Sequence, residues 1–286
     1  MIPKPFELTQ ESYYTKENPF ISNSKVSDFL LSKEYFYRRH IAKDLEFKTT
    51  VPIKIGRIVD AMFSQEKIPY QVKVLKRDNS DLYERQKFMD DDEFVTEAQM
   101  DDGLYRGQAI TREPFYQDYL KNPTTKFQPI LQGLAGETPI CGMADVTVED
   151  ANTFYIDDCK SVSPMKLKSA SHWYWNCLEM GYDRQMGAYA YMAEQMGLNH
   201  GKPIVCRHIV VTKVRDGVFV VRLFIMPERM VIEGTQKFLA GVNGIVTETA
   251  WIDPPLTWES AEMLGPGNRE EAYDEDDEGA EIQFDE

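Results

Sequence analysis

Two short runs of strand-forming residues, Cys141 to Val148 and Thr153 to Ser161, flank the polar stretch Glu149-Asp150-Ala151-Asn152. Alternating runs joined by such a stretch specify a β-hairpin. The first run carries Gly142-Met143-Ala144-Asp145, and the second, twelve residues later, carries Asp158-Cys159-Lys160. Side chains alternate faces along a strand, so Asp158 and Lys160 share a face and Asp157 points to the other. Two carboxylates and one ammonium are expected to converge on one spot.

An oxygen-only donor pair of this kind suits Mg²⁺, with Mn²⁺ as a substitute. A divalent ion clamps phosphate oxygens and lowers the pKa of a bound water, which is what phosphodiester hydrolysis needs. Asp145 and Asp158 are the expected ligands. Lys160 would orient the nucleophile or stabilise developing negative charge. Surrounded by carboxylates it holds its proton, which favours an electrostatic role. Asp-x-Lys is a common triplet, so its meaning depends on its context.

The context is ordered. Residues 22 to 43 read as a helix that starts with good N-caps at Ile21-Ser22-Asn23-Ser24, passes Phe29 and carries Tyr35-Phe36-Tyr37-Arg38-Arg39. Lys54 to Phe63 reads as a helix with Gly56 and Asp60 on it. Downstream, a helix over about Asn176 to Met196 places Gln185 and Tyr189 on one face. In this order the elements resemble the PD-(D/E)xK nuclease superfamily, and within it the branch of phage lambda-type and RecE-type exonucleases and the RecB nuclease domain. The matching pieces are Ser22 to Phe29, Gly56 to Asp60, Gly142 to Asp145, Asp158 with Lys160, and Gln185 with Tyr189; they span roughly residues 20 to 195.

The resemblance implies an α/β fold, a central mixed β-sheet flanked by helices, with a helical N-terminal region. It implies Asp145, Asp158 and Lys160 as catalytic residues, and Asp145, Asp158 and Asp60 as metal ligands. Asp60 stands where many relatives have histidine, and Glu137 is a minor candidate for a further acid. Gln185 and Tyr189 would line the cleft against DNA, with Arg57, Lys166 and Lys168 as further DNA contacts. The implied activity is Mg²⁺-dependent exonucleolysis of linear duplex DNA in phage-type recombination or DNA processing. A single-strand annealing or single-strand-binding protein would be a partner, and a homo-oligomer is compatible. Some relatives carry an iron–sulfur cluster on a tight C-terminal cysteine group. Cys141, Cys159, Cys177 and Cys206 form no such group, so no cluster is expected and the four are read as reduced core residues.

At 286 residues one large domain, 21–265, is expected, with an irregular N-terminal arm over 1–20 and an acidic, disordered tail over 266–286. The net charge of −15 is concentrated: residues 270 to 286 hold ten acids and no base, and without them 37 acids face 32 bases. Basic clusters at Arg38-Arg39, Lys54-Arg57, and Lys166-Lys168 with Arg184 would then engage phosphates, with steep salt sensitivity. No apolar run is long enough to span a membrane and the N-terminus lacks a signal-peptide pattern, so a cytoplasmic protein is expected.

Further helices are expected over 82–121, broken near Asp101-Asp102-Gly103 and presenting Tyr116, Tyr119 and Leu120 to a core, and over 228–249. An extended segment is expected over 68–76, and Ser163-Pro164 should start a helix. Residues 203–213 and 217–225 read as a second hairpin around Asp216-Gly217. His172-Trp173-Tyr174-Trp175 is either a stacking wall for bases or a helix packed on the sheet. Two alternatives to an exonuclease stand beside it: a catalytically weak DNA- or protein-interaction module on the same fold, and an endonuclease or nickase.

Overall fold

The hairpin expected around Asp145 and Asp158 is present, and it forks. The computed structural model describes residues 8–13, 15, 18–45, 49–72, 93–215 and 217–251. Strand β3 (Lys126–Phe127) pairs with β6 (Val146–Glu149), and β4 (Ile130–Ala135) pairs with β5 (Thr138–Met143). The two ladders keep one register: Lys126 faces Thr147 and Ile130 faces Met143. Between them Gln128 takes a φ of 48°, and Pro129 offers no N–H to the ladder, so the long hairpin bends there. Gln128 N–H donates to the Asp145 carbonyl, and Ala144 N–H donates to the Pro129 carbonyl.

β6 also pairs with β7 (Phe154–Val162), but that ladder stops with Val146 opposite Asp157. One more step would set Asp145 opposite Asp158. The chain instead swings away into β5, and the strands part at the two acids. β7 pairs in parallel with β8 (Ile204–Arg215), and β8 pairs antiparallel with β9 (Val218–Ile225). The five-stranded sheet therefore runs β3-β6-β7-β8-β9 and is mixed. A separate two-stranded parallel sheet joins β1 (Gln71–Val72) to β2 (Phe94–Val95).

Helices cover both faces. After a short N-terminal turn, α1 (Gln10–Tyr13), come α2 (Asn23–Leu31) and α3 (Lys33–Phe36). Ser22 and Ser32 cap them, each accepting a backbone N–H at the third helical residue. The helix expected over 22–43 is thus interrupted at Ser32 and ends in a π-helical turn, Tyr37–Ile41. α2 packs in one layer with α7 (Ala170–Met180), α8 (Tyr182–Gln195) and α9 (Glu228–Thr247). This layer holds the larger core, with Trp173, Met186, Met192 and Phe238 fully enclosed. The opposite layer is α4 (Val51–Ser64), α5 (Glu97–Thr111) and α6 (Pro114–Lys121), packed through Val59, Phe63, Ile110, Tyr116 and Tyr119. The α/β class, the mixed sheet with flanking helices and the helical N-terminal region are all as expected from the sequence.

Several local expectations need correction. The helix expected over 176–196 is two helices, because Gly181 adopts a left-handed φ of 68° that ends α7. α5 runs straight through Asp101-Asp102-Gly103. Gly103 is a packing contact there: a Cβ would lie 2.7 Å from the Ile58 side chain. The break comes instead before Pro114. Leu120 is 46% exposed, whereas Tyr116 and Tyr119 are buried as expected. Ser163-Pro164 starts only a 3₁₀ turn, Pro164–Lys166, and Ser169 caps the helix that follows. The first strand of the second hairpin extends two residues further than expected, to Arg215. The acidic tail lies outside the described residues, as does most of 68–92. Among the described residues no helix is long and apolar enough to cross a membrane.

Candidate active site

The site occupies the fork. Asp145 sits at the bend, where its Oδ2 accepts the Cys159 N–H at 2.5 Å, so a side chain satisfies a β7 backbone donor beside the gap. Asp158 and Lys160 lie two apart on β7 and share the face toward α8, as strand alternation requires. Lys160 Nζ ion-pairs with Asp158 Oδ2. That oxygen is buried, with the Lys160 ammonium as its charged partner. Gln185, on α8, ties both partners together: its Nε2 donates to Asp158 Oδ1 at 3.0 Å and its Oε1 accepts from Lys160 Nζ at 3.0 Å. Gln185 Nε2 also donates to the Tyr189 hydroxyl at 2.8 Å.

The approach of α8 to this hairpin depends on Gly142. A Cβ there would stand 2.6 Å from Tyr189 Cε1, so a larger residue would push the tyrosine, and with it Gln185, off the acids. Gly142 and Tyr189 therefore form one packing contact. Asp157 faces the other layer, as expected. Its carboxylate accepts from Arg207 Nε and Nη2, both at 2.6 Å, and from the Tyr119 hydroxyl.

The electrostatics of the fork are those of crowded acids. Burial raises the Asp145 carboxyl well above the usual range, and the charges of Asp158 and Asp60 add to this. Asp60, on α4, is pushed up to about 7 by burial and by Asp158, against the opposing pull of Lys160 and Arg57. Burial alone would lower the Lys160 ammonium, but Asp158, Tyr182 and Asp145 outweigh it and raise it. Lys160 is thus a fixed cation in a cluster with excess negative charge. Among the described residues no three His, Cys, Asp or Glu side chains are gathered closely enough to hold a metal ion as they stand. The donor chemistry nevertheless fits a hard divalent cation: Asp145, Asp158 and Asp60 are all-oxygen donors, and the Asp158 charge raises the other two.

The other named residues are placed as follows. Arg57 is exposed on α4 and donates to the Tyr70 hydroxyl at 3.4 Å. Lys166, in the 3₁₀ turn, reaches the Met180 sulfur at 3.6 Å, and Lys168 is exposed beside it; neither contacts the acids. Glu137 is exposed in the turn between β4 and β5, at the opposite end of that hairpin from Asp145. Two supposed phosphate contacts are structural instead. Lys54 is buried and donates to the Phe94 carbonyl at 3.0 Å. Arg184 donates to Asn23 Oδ1 at 2.8 Å and to Ser27 Oγ at 2.6 Å, clamping α8 to α2. Arg39 pairs with Asp28, and Arg38 with Asp44.

Sequence reading missed two neighbours. The Tyr182 ring lies under Lys160, 4.4 Å from Nζ. Its position three residues before Gln185 on a helix was the available signal. His208 stands beside Asp158 across the parallel β7–β8 register, fully buried, with Nδ1 3.7 Å from the Cys177 sulfur. Nothing local marks it, because the strands are joined by a crossover of two helices.

No family model matches the chain, and no curated protein matches it. Among solved structures, one from Eubacterium rectale described as a "putative exonuclease" has the same fold, with a TM-score of 0.57 at 17% identity over 92% of this chain and 99% of that one. A second, of SSO0001, covers 79% of this chain and 89% of that one at 14% identity, and its TM-score of 0.28 carries no weight. The first likeness establishes the fold shared by the two chains.

Proposed function

We propose that this chain is a nuclease, specifically a Mg²⁺-dependent exonuclease that degrades linear duplex DNA, of the lambda-type and RecE-type branch of the PD-(D/E)xK superfamily. The observation that carries the reading is the bridging of Asp158 and Lys160 by Gln185 at the strand fork that also holds Asp145. A fold shared with a protein described as an exonuclease supports it. Asp145 and Asp158 would hold the cation, with Asp60 as the third acid. When bound, the ion supplies Lewis acidity toward phosphate oxygens and a more acidic water. Lys160 keeps its proton and places positive charge where negative charge develops on the phosphate. Gln185 and Tyr182 hold that ammonium in place, so it acts without reorganising. Gly142 lets Tyr189 and Gln185 close on the acids.

Incubating end-labelled linear duplex with Mg²⁺, with a chelator control, tests this. Degradation is expected in Mg²⁺, absent in chelator, and lost in Lys160→Ala and Asp158→Ala. Intact degradation by either variant overturns the reading. A covalently closed circle separates the alternatives: an exonuclease spares it, and an endonuclease or nickase does not. A non-catalytic binding module on the same fold is the other reading, and the net charge of −15 is what favours it. That reading predicts DNA binding with no Mg²⁺-dependent loss of label.

A further inference from the structure

Beyond the fork, β7 runs into the 3₁₀ turn Pro164–Lys166 and then α7. The two elements are locked together. Asn176 is buried, and its Nδ2 donates to the Lys166 carbonyl at 3.2 Å and to the His172 carbonyl at 2.8 Å. α7 is fixed to the site by Trp173, which is fully enclosed against the Tyr182 and Phe224 rings. Trp175 is two residues further on, about 200° around the helix axis, and so cannot share that buried face. It is 69% exposed, and Met165 in the turn is 71% exposed. Lys166 and Lys168 sit on the same joint.

An exposed indole and an exposed thioether stand on two elements fixed to each other, the joint also carrying two ammonium groups and α7 carrying Glu179 one helical turn beyond Trp175; flat apolar groups and cations are what the bases and phosphates of an unpaired strand bind. The sequence alternatives for His172 to Trp175 thus divide by residue. Trp173 is core packing, and Trp175 is left to face solvent. Lys166 follows Lys160 by six residues, in the turn just past the C-terminal end of β7.

We propose that Trp175, with Met165, Lys166 and Lys168, forms a single-strand-binding platform that stacks bases of an unpaired DNA strand beside the fork. This rests on the nuclease reading for its role but not for its test. The full-length protein is titrated in chelator with fluorescein-labelled oligothymidine and with a blunt duplex of equal length, and anisotropy is followed. Trp175→Ala is expected to weaken oligothymidine binding by about tenfold to a hundredfold, the range of one lost base stack. Trp175→Phe should recover most of the affinity. Lys166→Gln combined with Lys168→Gln should flatten the dependence of log affinity on log salt by about 1.4, the contribution of two phosphates on a single strand.

An unchanged oligothymidine affinity in Trp175→Ala overturns the proposal. So does a concentration-dependent dimer, seen by analytical ultracentrifugation, that the variant abolishes while oligothymidine binding persists, because the face then serves self-association. Trp175 is exposed, so the variant's melting temperature should match wild type and a folding defect is separable. Wild-type protein that binds oligothymidine through Trp175 but never degrades DNA in Mg²⁺ sinks the nuclease reading and leaves the platform standing.

Discussion

Asp157 and Asp158 are adjacent and both enclosed, yet they should respond to the same substitution in opposite ways. The Asp157 side chain is 0% exposed and that of Arg207 is 14% exposed. Asp157→Asn leaves the Arg207 guanidinium facing a neutral amide that can accept only one of its two bonds, with the Tyr119 hydroxyl at 3.2 Å and the Tyr155 ring at 4.0 Å as its other contacts. Removing one partner of a buried ion pair costs about 3–5 kcal/mol. At about 2–4 °C per kcal/mol for a chain of this size, the melting temperature should fall by about 6–20 °C.

Asp158→Asn has a different balance. It removes a charge that raises both Asp145 and Asp60, and it also removes the counterion of Lys160. These oppose one another, so the melting temperature should move by less than about 4 °C, roughly 1 kcal/mol on the same scale. Mg²⁺-dependent degradation should drop by about a hundredfold or more, as for other losses of charge-stabilising groups. Circular dichroism melts in chelator and a timed gel assay in Mg²⁺ give both readouts. The reasoning fails if Asp157→Asn melts with wild type, or if Asp158→Asn is as destabilised as its neighbour and still degrades DNA.

Three further outcomes follow from the same structure. Gly187→Ala places a Cβ 2.6 Å from the Gly234 carbonyl carbon and in collision with the Thr235 backbone nitrogen, so α8 and α9 must separate; a loss of about 3 kcal/mol, or about 6–12 °C, should appear in thermal melts. His208 stays neutral in the fold down to about 3 because it is buried, whereas the unfolded chain takes up its proton near 6.5. Its contribution is therefore constant above pH 6.5 and lost as pH falls, by about 2 kcal/mol between pH 6.5 and 5, and urea unfolding of His208→Gln should lack that part of the slope. Burial, with the Asp158 charge beside it, holds Asp60 up to about 7 and makes the fold less stable as pH rises through that value, so chelated protein should melt lower at pH 8 than at pH 6. Saturating Mg²⁺ should recover about 2.7 kcal/mol at a hundredfold excess over its dissociation constant, and less in Asp60→Asn; no Mg²⁺ shift in the wild type removes the cation from the proposal.

What the sequence made legible follows the range of the interactions involved. Strand alternation is local, so Asp158 and Lys160 on one face and Asp157 on the other could be read directly. Helical spacing is local too, which is why Gln185 and Tyr189 were placed together, and why Tyr182 was within reach of the same rule. The fork was not legible, because it depends on where one ladder stops and another continues: the β3–β6 and β4–β5 pairings share a register that only the folded hairpin reveals. His208 was hidden for the same reason, since its place beside Asp158 is set by a parallel pairing across two helices. Leu120 and Lys54 show the converse. Each followed a sound local rule, apolar spacing in one and surface charge in the other, and each was overruled by what packs nearby. Lys54 is buried on α4 with its ammonium on the Phe94 carbonyl, whereas Lys160 is buried on β7 against a carboxylate. The two lysines look alike in sequence. The bond from Lys54 to the Phe94 carbonyl secures α4 to β2, whereas Lys160 lies among carboxylates that raise its pKa, and it is this second lysine to which the proposed chemistry is assigned.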